Sequence, residues 1–343
     1  MSTLARVAST RLLVVLSSAP DGPVVRHRWL AYRGALEEAD VVLEVVPWPK
    51  DVAARRHAIH RAETADGVVV SSRLLRVRDT RALRRAARRL ALDFDDALPY
   101  RDSGRGARIS RTRRRRFGAL VRAADAVFAG NEILGDLARK AGREAVVLPT
   151  TVEVPPGPAP AEPAEGPPVF GWIGSRATLP YLEWAWIPLS AVVASGQPIR
   201  LRVVADAVPA MPPGIAVEVV PWTPDGWRRA LAGIHVGLAP LPDDPWTRGK
   251  CGLKVLQTMS VGRPVVASAV GVQSEQVHHG ETGLLAGDPT AFFEALLDLA
   301  TDPQARGRMG RAALECVRER WSVAVWAPRV VEAVLAWLDG SGP

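Results

Sequence analysis

Lys250 and Lys254 are the residues of this sequence best suited to bind an anion. The chain has only four lysines beside 40 arginines, so two lysines four residues apart are unusual for its composition. They flank a predicted helix start, where Gly249 and Gly252 let the backbone approach a ligand closely. A helix start exposes unpaired N–H groups, and each charge-assisted hydrogen bond to a diphosphate contributes roughly 1.5–3 kcal/mol. The spacing predicts a phosphate site, with two solvated surface lysines as the alternative.

A second candidate phosphate site follows the strand predicted at 169–173. Residues 171–176 read GWIGSR, so a buried strand ends in a turn that contains glycine. The backbone amides of Gly174 and Ser175, together with the side chain of Arg176, are suited to the same phosphates. An ordinary strand-to-helix turn is the alternative interpretation.

Three aspartates end a strand of the first half of the chain, in the sequence LALDFDDALPY at 90–100. Asp95 and Asp96 are the candidate catalytic residues, since a carboxylate there can orient or deprotonate a hydroxyl group. Capping of the strand end and a metal-binding Asp-x-Asp pair are the alternatives. Arg26 and Arg28 open the first predicted helix and are candidates for binding an anionic acceptor, with contact to a diphosphate as the alternative.

Short apolar runs alternate with helical segments through the first half of the chain. The runs suit a parallel sheet that is buried on both faces, and the alternation predicts a doubly wound α/β domain. Strands are predicted at 12–17, 41–46, 67–71, 90–94, 126–129 and 145–148, and helices at 28–38, 80–89, 111–124 and 132–141.

A proline-rich segment separates this pattern from a second one. Residues 154–168 contain seven prolines, a density that excludes helix and central strand and predicts a semi-rigid linker. Two α/β halves joined by one linker predict a ligand cleft lined by loops of both. Beyond the linker, strands are predicted at 169–173, 199–204, 216–219, 236–239, 264–268 and 284–286, and helices at 181–195, 225–233, 252–261, 290–301, 305–320 and 322–338.

The basic charge of the chain lies entirely in its first half. Residues 1–165 hold 29 basic and 20 acidic side chains, a balance of +9, whereas residues 166–343 hold 15 and 16, a balance of −1. A basic face of this kind suits an acidic acceptor or the headgroups of an anionic membrane. Nucleic acid is not predicted as a partner, because the arginine run at 111–116 lacks interleaved aromatic side chains.

Several other classes of protein are disfavoured by missing patterns. No apolar run approaches the roughly 20 residues of a membrane span, so we predict a cytoplasmic protein that contacts the inner face of a membrane at most peripherally. The two cysteines and the histidines have no metal-ligand spacing, so neither a metal nor a resident cofactor is predicted. A P-loop and a Gly-x-Gly-x-x-Gly turn are both missing, which disfavours kinases and nicotinamide enzymes.

The segment 238–268 resembles the donor-binding stretch of glycosyltransferase family 4, whose members have the two-domain GT-B fold. The stretch 125–149 resembles the end of the family's acceptor domain, and the last helix resembles the one that crosses back to that domain. The resemblance thus covers most of the chain. Its register is set by a helix that leads into a Gly-x-Pro-Val strand and a further loop, here Met259, Gly262, Pro264, Val265, Val266, Gly271, Glu275, Gly280 and Gly283.

The sequence departs from the family at two glutamates that are separated by seven residues. In this register they fall on Gly249 and Gln257. The resemblance implies that the first contacts the donor sugar and the second the nucleotide ribose. Gln257 retains a side chain able to form hydrogen bonds, whereas Gly249 does not, so Asp243 or Asp244 is the candidate replacement. The family's Arg and Lys pair after the 169–173 strand, and a histidine of its first domain, also have no match.

The resemblance implies a glycosyltransferase of the hexosyltransferase type. Such an enzyme moves a sugar from a UDP- or GDP-sugar to a saccharide or lipid-linked hydroxyl acceptor, with retention and without a metal, in cell-envelope polysaccharide or glycolipid synthesis. A non-catalytic GT-B scaffold protein and a sugar-nucleotide epimerase are the alternatives. The implied donor-binding residues are Gly174, Ser175, Arg176, Arg248, Lys250, Lys254, Gln257 and Glu275.

The resemblance also implies the domain organisation. Residues 1–153 are expected to form an acceptor-binding Rossmann-like domain, followed by the linker at 154–168. Residues 169–320 are expected to form a donor-binding Rossmann-like domain, and the helix in 321–343 to pack back on the first domain.

Overall fold

The chain forms two compact units. The computed structural model describes residues 10–17, 19–106, 108–161, 163, 166–207 and 214–341. Unit 1 contains the residues up to 101, 107–150 and those from 323 onward, and unit 2 contains 102–106 and 151–322. Residues 162, 164 and 165 of the predicted linker lie outside the described part of the chain.

Unit 1 is built on a parallel sheet of six strands in the order β2-β1-β3-β4-β5-β6. Helices connect successive strands, as the predicted alternation requires. The strands are β1 (Arg11–Ser17), β2 (Val41–Pro47), β3 (Gly67–Ser71), β4 (Leu90–Phe94), β5 (Ala126–Ala129) and β6 (Val146–Val147), and the helices are α1 (Pro23–Arg28), α2 (Arg33–Glu38), α3 (Ala54–Glu63), α4 (Val77–Ala86), α5 (Arg111–Ala123) and α6 (Glu132–Lys140).

Three helices of unit 1 differ from the prediction, and of these α4 begins and ends three residues earlier than predicted. The single helix predicted at 28–38 is divided, with a 3₁₀ turn at Leu30–Tyr32 between α1 and α2. Trp29 interrupts it with φ −132°, because its indole N–H turns inward to donate to Asp93 Oδ2 at 2.9 Å. Helix α3 was not predicted, since few of its residues are large and apolar and its inward face carries Arg55, Ala58 and Ala62.

Unit 2 repeats the plan with strand order β12-β11-β10-β7-β8-β9, again all parallel. The two parallel sheets confirm the predicted α/β class. The strands are β7 (Val169–Ile173), β8 (Arg200–Ala205), β9 (Ala216–Pro221), β10 (Val236–Ala239), β11 (Val265–Ser268) and β12 (Gly283–Ala286), and the helices are α7 (Leu179–Leu182), α8 (Trp186–Ala194), α9 (Trp227–Ala232), α10 (Leu253–Met259), α11 (Gln273–Gln276), α12 (Pro289–Thr301) and α13 (Pro303–Arg320).

The last helix, α14 (Val323–Asp339), returns to unit 1 as predicted. Val330, Val334 and Trp337 are buried at helical spacing in the core of that unit. The Trp337 ring meets the Phe128 ring of β5 edge-on, with 6.0 Å between their centres. The C-terminal residues therefore complete the hydrophobic core that the first half of the chain begins.

Candidate functional site

The strand order of unit 2 reverses beside β7. The chain runs outward from β7 through β8 to β9, and then returns to the other side of β7 to form β10, β11 and β12. Parallel strands of this order bind ligands beyond their carboxyl ends, at the point where the order reverses. The loops that follow β7 and β10 meet at that point, and they contain residues 174–176 and 250.

The loop after β7 forms a tight turn at residues 174–178. The Gly174 N–H donates to Val204 O at 3.0 Å, and a 3₁₀ turn follows at Arg176–Thr178. Ser175 and Thr178 form a reciprocal capping box around that turn. The backbone N–H of Arg176 donates to Asp206 Oδ1 at 2.7 Å, while the side chains of Ser175 and Arg176 are exposed. The turn is therefore fixed by its own hydrogen bonds and by β8.

Lys254 extends from α10 to this turn. Its ammonium donates to Thr178 Oγ1 at 2.8 Å and lies 4.1 Å from the centre of the Trp172 ring. A methyl group on Gly174 would lie 2.7 Å from Lys254 Nζ and would overlap the Trp172 ring. The structure thus brings together the two segments that the sequence singled out separately, and glycine at 174 leaves the space that the ammonium uses.

The electrostatic setting of Lys254 is unusual. Burial of the ammonium, with Lys250 nearby, holds the pKa of Lys254 well below its usual range. Within the described part of the chain its ammonium forms no ion pair with a carboxylate. A bound anion would offset both the burial and the repulsion, so this position favours an anionic ligand.

Lys250 lies between two aromatic rings. Its ammonium is 5.2 Å from the centre of the Trp246 ring and 5.7 Å from that of Tyr181. Distances below about 6 Å to a ring centre allow cation–π attraction. Lys250 follows a 3₁₀ turn at Thr247–Gly249, and its N–H donates to Thr247 O at 3.0 Å. Both predicted lysines are therefore held by aromatic contacts at the same end of unit 2.

The helix that contains Lys254 is shorter than predicted. A helix was predicted at 252–261, whereas α10 contains seven residues and begins at Leu253, after Gly252 in the left-handed conformation with φ +65°. A helix of two turns has a weak dipole, so the lysine side chains supply most of the positive charge. Gly262 ends the segment with φ +70°, a left-handed conformation that glycine adopts readily at the end of a helix.

The side chains of Arg248, Asp243 and Asp244 form hydrogen bonds within the loop that they belong to. Arg248 is exposed and forms a bidentate ion pair with Asp243, at 2.5 and 2.9 Å. Asp244 Oδ1 accepts the backbone N–H groups of Trp246 and Thr247 at 2.8 and 2.9 Å. Both carboxylates that were candidates to replace the family's first glutamate therefore stabilise the loop that leads to Lys250. Gly249 is buried beneath them.

The other two predicted donor-binding residues differ in exposure. Gln257 is buried in α10, whereas Glu275 is exposed on α11. The loop before α11 closely approaches residues 248–252, the segment that contains Lys250. A methyl group on Gly271 would clash with the Arg248 carbonyl. Gln276 Nε2 donates to Cys251 O at 3.2 Å. The segment from 248 to 252 is thus supported from the β11 side by residues 271–276.

In unit 1, Arg28 lies in the core rather than on a surface that an acceptor can reach. Its guanidinium donates to Asp93 Oδ1 at 2.8 and 2.5 Å and to Leu148 O at 2.8 Å. The other oxygen of Asp93 accepts from Trp29 Nε1 at 2.9 Å and Ser71 Oγ at 3.2 Å. A buried guanidinium needs a charged partner, and Asp93 is that partner for Arg28. Arg28 therefore has a structural role, and not the predicted role in binding an acceptor. Arg26 remains partly exposed on α1.

Asp95 and Asp96 follow β4 at the carboxyl edge of the unit 1 sheet, and both are partly exposed. Burial of its carboxyl and repulsion by Asp96 raise the pKa of Asp95 to about 6, against the opposing effects of Arg28 and Ser72. Ser72 Oγ donates to Asp95 Oδ1 at 2.5 Å. Ser72 has φ +45°, a conformation that costs a non-glycine residue about 1 kcal/mol or more. A carboxyl group that titrates near pH 6 is suited to general base chemistry.

Sequence reasoning missed Trp172, Thr178 and Ser72 as parts of these sites. One signal for Trp172 was available: it is two residues before Gly174, so the two share a face as the strand ends, and the glycine leaves room beside the ring. Nothing local marks Thr178 or Ser72, because each acts on a residue that is distant in sequence.

Comparison with protein families identifies the segment that carries this site. Residues 170–302 match the model of the family described as Glycosyl transferases group 1. The chain carries a group 1 glycosyltransferase domain. The matched residues begin within β7 and include the Gly174 turn, Lys250, Lys254 and the loop at 271–276. The residues brought together at the carboxyl edge of the unit 2 sheet therefore all lie within the glycosyltransferase domain.

Curated relatives match a limited part of this chain. The D-inositol 3-phosphate glycosyltransferase of Pseudarthrobacter chlorophenolicus is 44% identical over 77 residues, which is 21% of this chain and 18% of that protein. The match thus spans less than a fifth of the relative's length. It supports the assignment of the domain.

Solved structures resemble this chain over nearly its whole length. The Anabaena protein HepE, solved in complex with UDP and glucose, has a TM-score of 0.68 and 15% identity, covering 95% of this chain and all of that one. Sucrose-phosphate synthase from Thermosynechococcus elongatus has a TM-score of 0.73 and 16% identity, covering 95% and 99%. This likeness confirms the predicted GT-B fold.

The described residues contain neither a candidate membrane span nor a candidate metal cluster. No helix among them is both long and apolar enough to cross a bilayer. Nor does any group of three or more His, Cys, Asp or Glu side chains in those same residues have an arrangement that would hold a metal ion.

Proposed function

We propose that the protein is a glycosyltransferase that moves a sugar from a UDP- or GDP-sugar to a hydroxyl group of an acceptor. The observation that carries this proposal is the position of the Lys254 ammonium beside Gly174 and Thr178, where the strand order of the glycosyltransferase domain reverses. The Lys254 ammonium is half-buried and forms no ion pair with a carboxylate of the described residues. Such a cation is suited to binding the diphosphate of the donor.

Lys254 and Lys250 are assigned to the leaving diphosphate. When the bond from the anomeric carbon to the diphosphate oxygen breaks, its electron pair stays on that oxygen. The two ammonium groups then stabilise negative charge that grows during the step, which lowers the barrier more than equal binding of donor and transition state would. This use of side-chain charge supports a reaction that needs no metal.

Asp95 is assigned to the acceptor, with Asp96 beside it. The acceptor oxygen forms the new bond to the anomeric carbon, and its proton passes to the Asp95 carboxylate. With a pKa of about 6, Asp95 is ionised at neutral pH and still basic enough to accept hydrogen bonding from the hydroxyl. Retention of the anomeric configuration follows from the family resemblance alone.

Of the two proposed donors, the UDP-sugar has support from the structural likeness to HepE, which was solved with UDP and glucose. The basic excess of residues 1–165 supports an acidic or membrane-bound acceptor, such as one used in envelope polysaccharide or glycolipid synthesis. We accordingly propose that the protein acts in the cytoplasm, at the inner face of the membrane.

Donor binding by a lysine variant tests the proposal. We expect wild-type protein to bind UDP and a UDP- or GDP-sugar in calorimetric titrations. Lys254→Met keeps the length of the side chain but removes its charge, and loss of one charge-assisted hydrogen bond of about 1.5–3 kcal/mol weakens binding about 10- to 100-fold. Lys50→Met is the matched control, since Lys50 is one of the other two lysines and lies in unit 1.

Three outcomes separate the proposal from its alternatives. If Lys254→Met binds the donor as tightly as wild type, the assignment of the site is wrong. If the wild type binds no donor at millimolar concentration, the protein is a scaffold, as the loss of both family glutamates at 249 and 257 would explain. Conversion of donor alone to an epimeric sugar nucleotide, without acceptor, identifies an epimerase.

A further inference from the structure

A basic groove lies in unit 1, lined by residues of α5, α6 and the segment that connects β4 to α5. It encloses about 920 Å³, within the range of about 300–1,000 Å³ that small-molecule sites occupy. Five cationic side chains line it, and they are called the groove cations below: Arg111, Arg114, Arg115, Arg122 and Lys140. The described residues that line the groove include no acidic side chain.

The groove cations have no acidic partner among the described residues. Within the described residues none of the five forms an ion pair with a carboxylate. Arginines elsewhere in the same unit do: Arg11 pairs with Asp339, Arg28 with Asp93, Arg55 with Asp79, Arg61 with Glu44, Arg84 with Asp125, Arg88 with Asp66 and Arg139 with Asp136. No described carboxylate therefore forms an ion pair with the positive charge of the groove.

Three of the groove cations lie on one face of helix α5, and a glycine lies among them. Arg111, Arg114 and Arg122 lie at spacings of three and eight residues, which places them on one face of the helix. Gly118 occupies the middle of that face and lines the groove without a side chain. A methyl group there would lie 3.0 Å from the Arg122 guanidinium. Any larger residue at 118 would fill space that a ligand needs.

The walls of the groove are apolar as well as basic. Leu137 of α6 and Ile109 line it, and Ile109 is 50% exposed although it is a large aliphatic residue. An antiparallel bridge between Tyr100 and Ile109 forms one end. A site that combines cations with exposed aliphatic side chains matches an amphiphile with an anionic head better than an acidic glycan, which is polar throughout.

We propose that this groove binds the phosphate headgroup of an anionic phospholipid at a membrane surface. The groove cations contact the phosphate, and Ile109 and Leu137 contact the glycerol and first acyl carbons. The proposal concerns a site in unit 1 and does not depend on sugar transfer, which is assigned to other residues.

Vesicle flotation tests the proposal with the full-length chain. We expect binding to phosphatidylcholine vesicles that contain phosphatidylglycerol, and none to vesicles of phosphatidylcholine alone. Each cation near an anionic surface contributes about 1 kcal/mol, or about fivefold in binding. The double variant Arg111→Ala/Arg114→Ala should therefore bind about 30-fold more weakly, and added salt should weaken binding by the wild type.

Two further variants distinguish the groove from general basic charge. Arg308→Ala/Arg311→Ala removes the same charge from an exposed face of α13 at the same spacing of three residues, and should bind as wild type does. Gly118→Leu leaves the charge unchanged but fills the groove, and should lose binding while its melting curve remains cooperative. If it does not fold, the two double variants still decide the question.

Four results would overturn the proposal. Equal loss of binding in the α13 control would show that net charge alone attracts the vesicles. Full binding by folded Gly118→Leu would exclude the groove. Equal binding to phosphatidylcholine vesicles would exclude an anionic headgroup. Displacement of the protein from vesicles by millimolar inorganic phosphate would identify a site for free phosphate instead of a lipid. Calorimetric binding of UDP, measured on the same variants, is expected to stay at the wild-type value.

Discussion

Lys254 packs its ammonium against the indole ring of Trp172, 4.1 Å from the ring centre. The ring face and the Thr178 hydroxyl are its neighbours where an acidic side chain would be expected for a half-buried cation. Such neighbours hold the ammonium in position but leave most of its charge uncompensated. Burial without a carboxylate partner makes the charged form of this lysine costly. For the same reason, its charge remains available to an anionic ligand.

Lys254→Met should raise the free energy of unfolding at pH 7. Burial lowers the pKa of Lys254 in the folded protein, so the unfolded chain binds this proton more tightly. Stability then rises with pH between the folded-state pKa and the unfolded value of about 10.4, and the cost of the charged form is largest below that window. We expect the advantage of the variant in urea unfolding to shrink between pH 7 and pH 10. A variant less stable than wild type at pH 7 would contradict this account.

Gly174→Ala should weaken donor binding without unfolding the protein. Its methyl group would collide with the Trp172 ring and come within 2.7 Å of Lys254 Nζ, so the ammonium must move away from the turn. Loss of one charge-assisted hydrogen bond of about 1.5–3 kcal/mol corresponds to a 10- to 100-fold rise in the calorimetric Kd for UDP.

Gly34→Ala is the control for that substitution. Gly34 lies in α2, where an added methyl group meets nothing within 4 Å. The exchange should stabilise the helix by up to about 1 kcal/mol and leave UDP binding unchanged. Equal Kd values for Gly174→Ala and Gly34→Ala would remove the role given to the turn.

Arg28→Met should destabilise unit 1 strongly, because it leaves the Asp93 carboxylate buried without its cation. Removing one partner of a buried ion pair costs about 3–5 kcal/mol, which urea unfolding measures directly. Arg88→Met breaks the exposed pair with Asp66 and should cost less than about 1 kcal/mol. If the two variants unfold at the same urea concentration, Arg28 is not the structural residue that its contacts indicate.

Strands were easier to predict from this sequence than the roles of charged side chains. Each strand of a sheet buried on both faces is a short apolar run, and the predicted limits of β3, β4, β5, β7 and β10 agree with the structure to the residue. Arg28 shows the opposite case. Its spacing suggests an exposed helix start, and only its contact with Asp93, 65 residues away, reveals that it is buried.

The candidate donor site shows the same division. Lys254 and Gly174 were each predicted from local pattern, one from the scarcity of lysine and the other from a glycine after a strand. Their contact depends on the strand order around β7, which the local patterns do not contain. The predicted helix at 252–261 proved to be only the seven residues of α10, because Gly252 adopts a left-handed conformation before it.

Ser72→Ala should move the acid limb of the pH profile of donor turnover to higher pH. The limb is expected near pH 6, where the Asp95 carboxyl loses its proton. The Ser72 hydroxyl donates to the ionised carboxylate and so lowers its pKa, and its removal raises that pKa further. The rate above pH 8 should change little, because Asp95 is ionised there in both proteins.

Ser71→Ala is the control, since the neighbouring serine donates to Asp93 and not to Asp95. It should lower stability slightly and leave the pH profile where it is. Asp95→Asn should lose the acid limb together with most of the turnover, as removal of a general base costs about 10²–10⁴ in rate. An identical acid limb in wild type and Ser72→Ala would mean that a group other than Asp95 titrates, and the acceptor side of the proposed mechanism would then have to be assigned anew.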